Sequence, residues 1–463
     1  MSIATEITRL QGAKASLKTA IENKGVTVSS SALIDAYPAL VDSIPTGGGA
    51  VEEKTVNFVD FDGTLVASYT GEEVQALTAL PDAPDHSSDT VPLTFDEWNW
   101  TLSEIKSNNT SYPNAIITVG ANYHTTDGKY HFWFDSTGLN ECIVAFQAGA
   151  SGTVDWGDGS TVESFSSSGV VEHNYSNGLK NHCIVDCSGI VAFNSGSKSQ
   201  SKGLALTNLR LPSQCTSLTI YNCRNVEDVS IPSVLNYFDY SNNYKLRCIV
   251  FPRAFTTLQG SISSRELRAL SFSPLFTTWN NGSIYETSLT SLFIPGISSI
   301  GSSSQGVFKQ NQELCNVCIP NLVLTNLNAQ IFQKCYNLNE FKFSSQNTLI
   351  PNECFEYCGF KKINIPNGID TIWTSTFSNC SGVLEVTIPA SVTTINNYAF
   401  SGVKPQYITV LATTPPSLGS SNFGNTYLQK IYVPYSSDHS VLAAYQAASN
   451  WSNYASYMEE LPE

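Results

Sequence analysis

The stretch that decides the fold is TSTFSNCSGVLEVTIP, Thr374–Pro389. It aligns with PNECFEYCGFKKINIP (Pro351–Pro366) and with NAQIFQKCYNLNEFKF (Asn328–Phe343). Phe332, Phe355, Phe377 and Phe400 are spaced 23, 22 and 23 residues apart, and Cys335, Cys358 and Cys380 follow at 23 and 22. Working outward, an apolar-x-apolar strand end closes at Pro212, Pro232, Pro252, Pro274, Pro295, Pro320, Pro366, Pro389 and Pro434, with gaps of 20, 20, 22, 21, 25, 46, 23 and 45 residues. The two double gaps hold degenerate copies, FKFSS (Phe341–Ser345) and YITVLA (Tyr407–Ala412). A unit this short cannot bury its apolar side alone, whereas stacked copies form one continuous core. The pattern predicts a mainly β fold with a C-terminal solenoid from about Cys183 to about Pro434.

Side chains alternate along a strand, so the middle residue of each IxIP-like end is expected to face outward. That ladder reads Arg210, Ser230, Val250, Ser271, Phe293, Cys318, Lys342, Asn364, Thr387, Thr409 and Tyr432. Its varied, mostly uncharged chemistry suits recognition of one specific surface. A second candidate surface is rich in Tyr, Trp and Asn: Tyr237, Tyr240, Asn243, Tyr244, Trp279 and Tyr285. Such residues stack on sugars and bridge hydroxyls, and they serve protein partners equally. The looser early half, from about Tyr221 to Tyr285, is where tuning of recognition is expected.

The copies resemble the surface-antigen-type leucine-rich repeats of bacterial adhesins, AFxxCxxLxxIxIPxxVxxI. Ala399–Phe400, Cys380, Leu384, Val386, Ile388, Pro389, Val392 and Ile395 carry the likeness. The last residues, 435–463, resemble the helical cap that follows such arrays. Upstream, VDWGDGS and VEHNY within 139–182 resemble a PKD-type β-module. Residues 51–138, opening with VNFVDFDGT, resemble the β-grasp-like repeats of internalin-type surface proteins.

Residues 1–44 read as two helices. Ile3, Ile7, Leu10, Lys14, Leu17 and Ile21 step by 4, 3, 4, 3 and 4, a seam of about three heptads. It fits oligomerisation or attachment to a partner, and equally a helical hairpin folding on itself. Pro45–Gly49 opens a linker over 45–50. The leader resembles that of phage tail-associated proteins, and the whole order resembles a phage tail fibre or receptor-binding protein. The resemblance implies a virion location and a homo-oligomer. It also implies other tail proteins as partners of the N-terminal helices, and a host-surface glycan or protein as partner of the solenoid. The alternative is a bacterial cell-surface or scaffold protein mediating protein–protein contacts.

Length and composition agree with several small β-rich domains: 463 residues, 41% hydrophobic and only 14% charged. A net charge of −15 disfavours nucleic acid and anionic membranes. No apolar run reaches the roughly 20 residues a spanning helix needs, and no secretory leader is recognised, so synthesis in a cytoplasm is expected. The 12 cysteines lack zinc spacing and are expected to be buried thiols. Phe58–Val66, FVDFDGTLV, matches a phosphatase motif in which Asp60 would attack and Asp62 donate a proton. Pro81, Pro84 and Pro92 deny it the crossover helix such a fold requires. Asp155, Asp158 and Ser160 read as a turn rather than a Ca²⁺ loop, and His173 as a packed residue. The expectation is a non-enzymatic protein without cofactor or metal.

Overall fold

In the computed structural model the described residues are 55–463, apart from 139–141, 167–168, 189–190, 195–204, 222, 242, 302–305, 326–328 and 425–426. The expected N-terminal helices, with the seam Ile3, Ile7, Leu10, Leu17 and Ile21, and the glycine linker lie outside them. The fold is mainly β, with few helices and a C-terminal solenoid of about nine turns.

The first unit is a four-stranded sheet in the order β2-β1-β4-β3. Its strands are β1 (Val56–Val59), β2 (Leu65–Tyr69), β3 (Leu93–Trp98) and β4 (Ile117–Thr125). Helix α1 (Gly71–Ala76) follows β2, and α2 (Leu102–Ser111) follows β3. Both helices start with a capping box, Thr70 with Glu73 and Thr101 with Glu104. Thr101 therefore fixes the chain's turn from strand to helix. Trp98 ends β3, and the helix begins only at Leu102. Phe58, Trp98, Trp100, Ile105, Ile117 and Val119 form the buried centre of this unit.

A sandwich follows, built from β5 (Tyr130–Asp135), β6 (Cys142–Ala148), β7 (Gly152–Asp155), β8 (Glu163–Phe165), β9 (Val170–Tyr175), β10 (Lys180–Cys187) and β11 (Val191–Asn194). Strand β5, read from sequence with the first unit, belongs here, antiparallel to β10. Both sandwich sheets continue into the solenoid. One runs β14-β12-β5-β10-β7-β8 and the other β15-β13-β11-β6-β9, where β12 is Leu206–Arg210, β13 Ser217–Tyr221, β14 Asp228–Ser230 and β15 Tyr237–Ser241. Cys183, where the repeat pattern was expected to begin, lies inside β10, and the first solenoid strand is β12. The sandwich thus covers the edge that the first turn would otherwise leave unpaired.

The WGDGS turn organises the sandwich. Trp156 is buried, its carbonyl accepts the Tyr175 hydroxyl at 2.7 Å, and the His173 ring stacks on it at 4.7 Å. Asp155 Oδ1 accepts the Gly157 N–H and Asp158 Oδ1 accepts the Ser160 N–H. Asp158 Oδ2 lies 2.8 Å from His173 Nε2. Burial raises the Asp158 pKa, but the Ser160 bonds and His173 outweigh it and hold the carboxyl at about 2. A depressed carboxylate stabilises the fold fully above its unfolded pKa and loses that contribution as pH falls through the folded one. Asp158→Asn is therefore expected to melt below wild type at pH 7, with the gap shrinking from pH 4 toward pH 2 in a pH series of thermal melts.

Each later solenoid turn has three sides. One is the sheet of IxIP strands, such as 362–364, 385–388, 407–410 and 430–433, paired parallel. A second is a narrow ladder of two-residue strands at 349–350, 371–372, 394–395 and 417–418. The third is a column of turns joined by Gln330 N–H to Asn352 O, Phe332 N–H to Cys354 O, Phe355 N–H to Thr376 O and Phe377 N–H to Ala399 O. Non-glycine residues at positive φ recur in this column, including Gln330, Glu353, Ser375 and Tyr398. The strain is offset by bonds to the next turn, since the N–H groups of Gln330, Glu353, Ser375 and Tyr398 donate to the Asn352, Thr374, Asn397 and Ser420 carbonyls one repeat on.

Inside the turns, Phe308, Phe332, Phe355, Phe377, Phe400 and Phe423 stack at 5.4, 5.7, 5.5, 5.5 and 4.9 Å between successive centroids. Cys335, Cys358 and Cys380 donate S–H to Phe308, Phe332 and Phe355 carbonyls at 3.2, 3.1 and 3.1 Å. Leu384, which matches the leucine of the repeat motif, is 52% exposed, and Val383 fills the core. The expected cap is α3 (Ser440–Ala447), a 3₁₀ turn at Trp451–Tyr457 and a strand at Met458–Glu460 that pairs with 430–433. Tyr445, Trp451 and Tyr454 bond Ala412, Pro416 and Phe423 carbonyls and close the core's end.

All 12 cysteines are free thiols, and Cys315 is the exposed one. Burial pushes Cys335 and Cys380 up to about 12. A thiol reagent is expected to modify one cysteine in the native chain and all 12 in denaturant; several fast-reacting native thiols would contradict the packing.

Candidate recognition surface

The outward IxIP ladder is continuous in sequence but divided in space. From Arg210 to Cys318 it is covered by the first unit. Ser230, Val250, Ser271, Phe293 and Cys318 are buried beneath that unit. Strand β4 runs along the solenoid axis and crosses the rungs.

Proline chemistry explains how β4 is held. In a parallel ladder each N–H at this register bonds a carbonyl of the preceding rung, and proline has none to give. Arg210 pairs with Ser230, so the next donor owed to Leu211 O would come from residue 232, which is Pro232. In sequence Pro252 follows Pro232 by the same 20 residues. Both carbonyls are satisfied from β4 instead. Thr125 N–H donates to Leu211 O at 2.9 Å and Tyr123 N–H to Ile231 O at 3.3 Å. Asn122 Nδ2 adds bonds to Ile231 O at 3.0 Å and Val250 O at 3.1 Å. Asn99 Nδ2 reaches Phe251 O at 2.9 Å, and Trp100 Nε1 reaches Phe272 O at 2.9 Å.

Gly120 lies directly on Val250. A Cβ built there would stand 2.3 and 2.4 Å from the Val250 methyl carbons. At the rim Arg253 pairs with Glu104 at 2.5 Å. Arg210 is no free ligand: its guanidinium pairs with Asp228 and lies 4.6 Å from the Phe61 ring centre.

Beyond the covering unit the ladder is open to solvent. Lys342 and Asn364 are exposed, and Thr387, Thr409 and Tyr432 are half-buried. Two residues earlier on the same strands a second outward column, Lys362, Glu385, Tyr407 and Lys430, shares this face. Lys362 pairs with Glu385 at 2.6 Å. The second column was not read from sequence, although the same alternation would have found it. A shallow cleft between Tyr112 and Asn114 of the first unit and Asn316, Glu340 and Lys342 of the ladder marks the step where the covered half ends.

The aromatic and Asn-rich candidate surface is corrected by burial. Tyr240, Asn243 and Trp279 are 0% exposed and belong to the core of the early turns. Asn243 Nδ2 donates to Ile220 O at 2.8 Å, tying two turns together. Tyr237, Tyr244 and Tyr285 are half-buried, and Tyr244 lies beside the guanidinium groups of Arg224 and Arg265. Aromatic residues here replace the aliphatic rungs of the later turns, so composition alone mimicked a ligand surface.

The remaining chemical motifs have structural duties. Asp60 Oδ1 accepts the Phe61 N–H, Oδ2 meets His86 Nε2 at 2.9 Å, and Asp62 Oδ1 accepts the Thr64 N–H. Burial raises the Asp60 pKa. Among the described residues no cluster of three or more His, Cys, Asp or Glu side chains could hold a metal, and no helix is long and apolar enough to cross a membrane.

A family model for BspA type leucine-rich repeats matches residues 242–360 and 348–445 in six copies. No curated protein matches the chain in sequence. Among solved structures the chain is similar to a leucine-rich repeat protein from Bacteroides ovatus, with 15% identity, 67% of this chain and 98% of that one covered, and a TM-score of 0.29. A leucine rich cell surface protein from Faecalibacterium prausnitzii shares 18% identity over 50% of this chain and 80% of its own, with a TM-score of 0.23. The pneumococcal vaccine antigen PcpA shares 12% identity over 56% and 68%, with a TM-score of 0.24. These likenesses say nothing of this chain's partner.

Proposed function

We propose that the chain is a non-enzymatic recognition protein, of the bacterial cell-surface or scaffold kind, that holds a macromolecular partner on the uncovered half of the IxIP ladder. The observation that supports this reading is the division of one ladder into two chemistries. The covered half carries Ser, Val, Phe and Cys and is buried. The open half carries Lys342, Asn364, Thr387, Thr409 and Tyr432, with Lys362, Glu385 and Tyr407 beside them. BspA-type repeats over residues 242–445 are consistent with adhesion or protein–protein contact. A phage tail fibre is a narrower version of the same role. It draws on the leader and the order of modules, and the repeat match favours it no more than a bacterial surface protein.

The test uses the full chain, because a fragment starting at Cys183 would cut β10 and strip the covering unit. Immobilised wild type and Thr387→Arg/Thr409→Arg are exposed to bacterial envelope fractions: peptidoglycan, surface polysaccharide and solubilised membrane protein. Binding of one fraction that falls at least tenfold in the variant is expected. Equal binding by both, or none by either, overturns the reading.

A further inference from the structure

We infer that Asp127, His131 and His182 form an acid-sensitive latch, which holds the covering unit to the sandwich while the two rings carry one positive charge at most and lets go when both are charged.

The latch sits where the chain leaves the first unit. Strand β4 ends at Thr125 and β5 starts at Tyr130, so Asp127 lies in the turn that joins that unit to the sandwich. Both Asp127 carboxylate oxygens lie 3.1 Å from His131 Nε2. His131 is buried, and its Nδ1 lies 2.9 Å from Nε2 of His182 on the neighbouring strand β10. The His182 ring also stacks on Trp133, with 4.5 Å between centroids and 4° between planes. Trp133 in turn packs against the buried centre of the first unit. The same turn fixes the end of β4. Thr125 Oγ1 donates to Lys129 O at 2.7 Å, and Thr125 N–H donates to Leu211 O. A change at the two rings therefore reaches the first of the carbonyl bonds that hold β4 on the rungs.

Proton arithmetic makes the contact conditional. A carboxylate beside Nε2 of His131 calls for an N–H there, and two nitrogens at hydrogen-bond distance share a single hydrogen. A neutral pair meets this condition, and so does a pair with one cationic ring. Two cationic rings would face each other N–H to N–H, and the bond would be lost. Asp127 draws the first charge onto His131, so His182 decides whether the latch holds.

The groups around the rings fix the direction of the effect. On β12, Arg210 stands directly across from His131, with its guanidinium paired to Asp228 of β14 and lying over the Phe61 ring of the first unit. On β7, Asp155 stands across from Ile184, two residues along from His182. Lys180 pairs with Asp135, and Lys129 with Asp186, at the exposed rim. Burial holds the His182 ring below its ordinary pKa and His131 adds to that, outweighing Asp155 and Asp127. A histidine depressed in the fold contributes stability that is full above its unfolded pKa, about 6.5, and is lost as pH falls below it.

The test is amide hydrogen exchange on the full chain at about pH 7.5 and 5.5, corrected for the intrinsic pH dependence. A ring that charges only on opening raises the opening constant by as much as about tenfold across that window. Wild-type exchange at Tyr123, Thr125 and the β5 amides is expected to rise about fivefold or more, while amides of β6 and β9 in the opposite sheet hold steady. His182→Gln keeps a neutral donor for His131 Nδ1, and its rise at the same amides should stay under about twofold. No rise in wild type overturns the latch, as does an equal rise in His182→Gln or a rise shared by β6 and β9. Should His182→Gln misfold, the His182 ring signal in wild-type NMR spectra takes its place. A titration midpoint below that of histidine in the urea-unfolded chain is expected, and one at or above it overturns the proposal.

Discussion

Valine at position 120 is expected to cost about 2–3 kcal/mol of stability, the upper range for overpacking a fixed site. Gly120 does not sit at positive φ, so its backbone needs no glycine. What it needs is room. Its ideal Cβ would meet three atoms of the Val250 side chain at 2.3, 2.4 and 2.9 Å, and neither side can move cheaply. Asn99 pins Gly120 from both directions, accepting its N–H on Oδ1 at 2.9 Å and donating its own N–H to the Gly120 carbonyl at 3.0 Å. On the solenoid side Val250 pairs with Ser271, and Ser271 Oγ donates to Thr118 O at 2.5 Å. Crowding at this point should therefore open the contact between β4 and the rungs. Gly120→Ala combined with Val250→Ala should recover part of what Gly120→Ala loses, because two of the three clashing atoms are gone. Urea unfolding of the two single variants and the double variant gives a coupling energy, expected within about 0.5–3 kcal/mol. Strictly additive losses would mean that the two residues do not meet.

The same contact shows what the sequence made legible. The repeat was readable because Phe332, Phe355 and Phe377 return at a fixed period, and periodicity is local information. The covering of the ladder was not, because it joins Gly120 to Val250 and Asn99 to Phe251 across more than a hundred residues. Nothing near Asn99 or Asn122 distinguishes a buried amide that bonds carbonyls of another unit from one facing water. Prolines were read as strand terminators, which is correct, but their lack of an N–H also leaves acceptors on the preceding rung. That consequence appears only once the rungs are in register. Tyr240 and Trp279 misled for a different reason. An aromatic residue has both an apolar body and a polar tip, and composition does not say which one a site uses. Their alternation with half-buried neighbours such as Tyr237 would have argued for the core.

Phe355→Ala is expected to cost about 3–5 kcal/mol, the range for emptying a large buried aromatic site. The ring lies between Phe332 at 5.7 Å and Phe377 at 5.5 Å, nearly parallel to both, with Phe341 at 5.1 Å and Phe360 edge-on at 5.4 Å. Phe360 approaches by its edge and cannot fill the space without leaving Phe377, which it also touches. The cavity would therefore persist. Its position matters beyond its volume. In a solenoid each turn is stabilised only by its neighbours, so a weak turn uncouples the two sides. The turns after Phe355 end in the α3 cap, while those before it are continuous with the sandwich and with β4. A single unfolding transition should then separate into two, the earlier one belonging to the C-terminal turns and read from the fluorescence of Trp373 and Trp451. Phe355→Leu, which keeps most of the volume, should lose much less and remain a single transition. A loss below about 1 kcal/mol for the alanine variant, or two transitions in the leucine variant as well, would show that the aromatic column does not carry the cooperativity of these repeats.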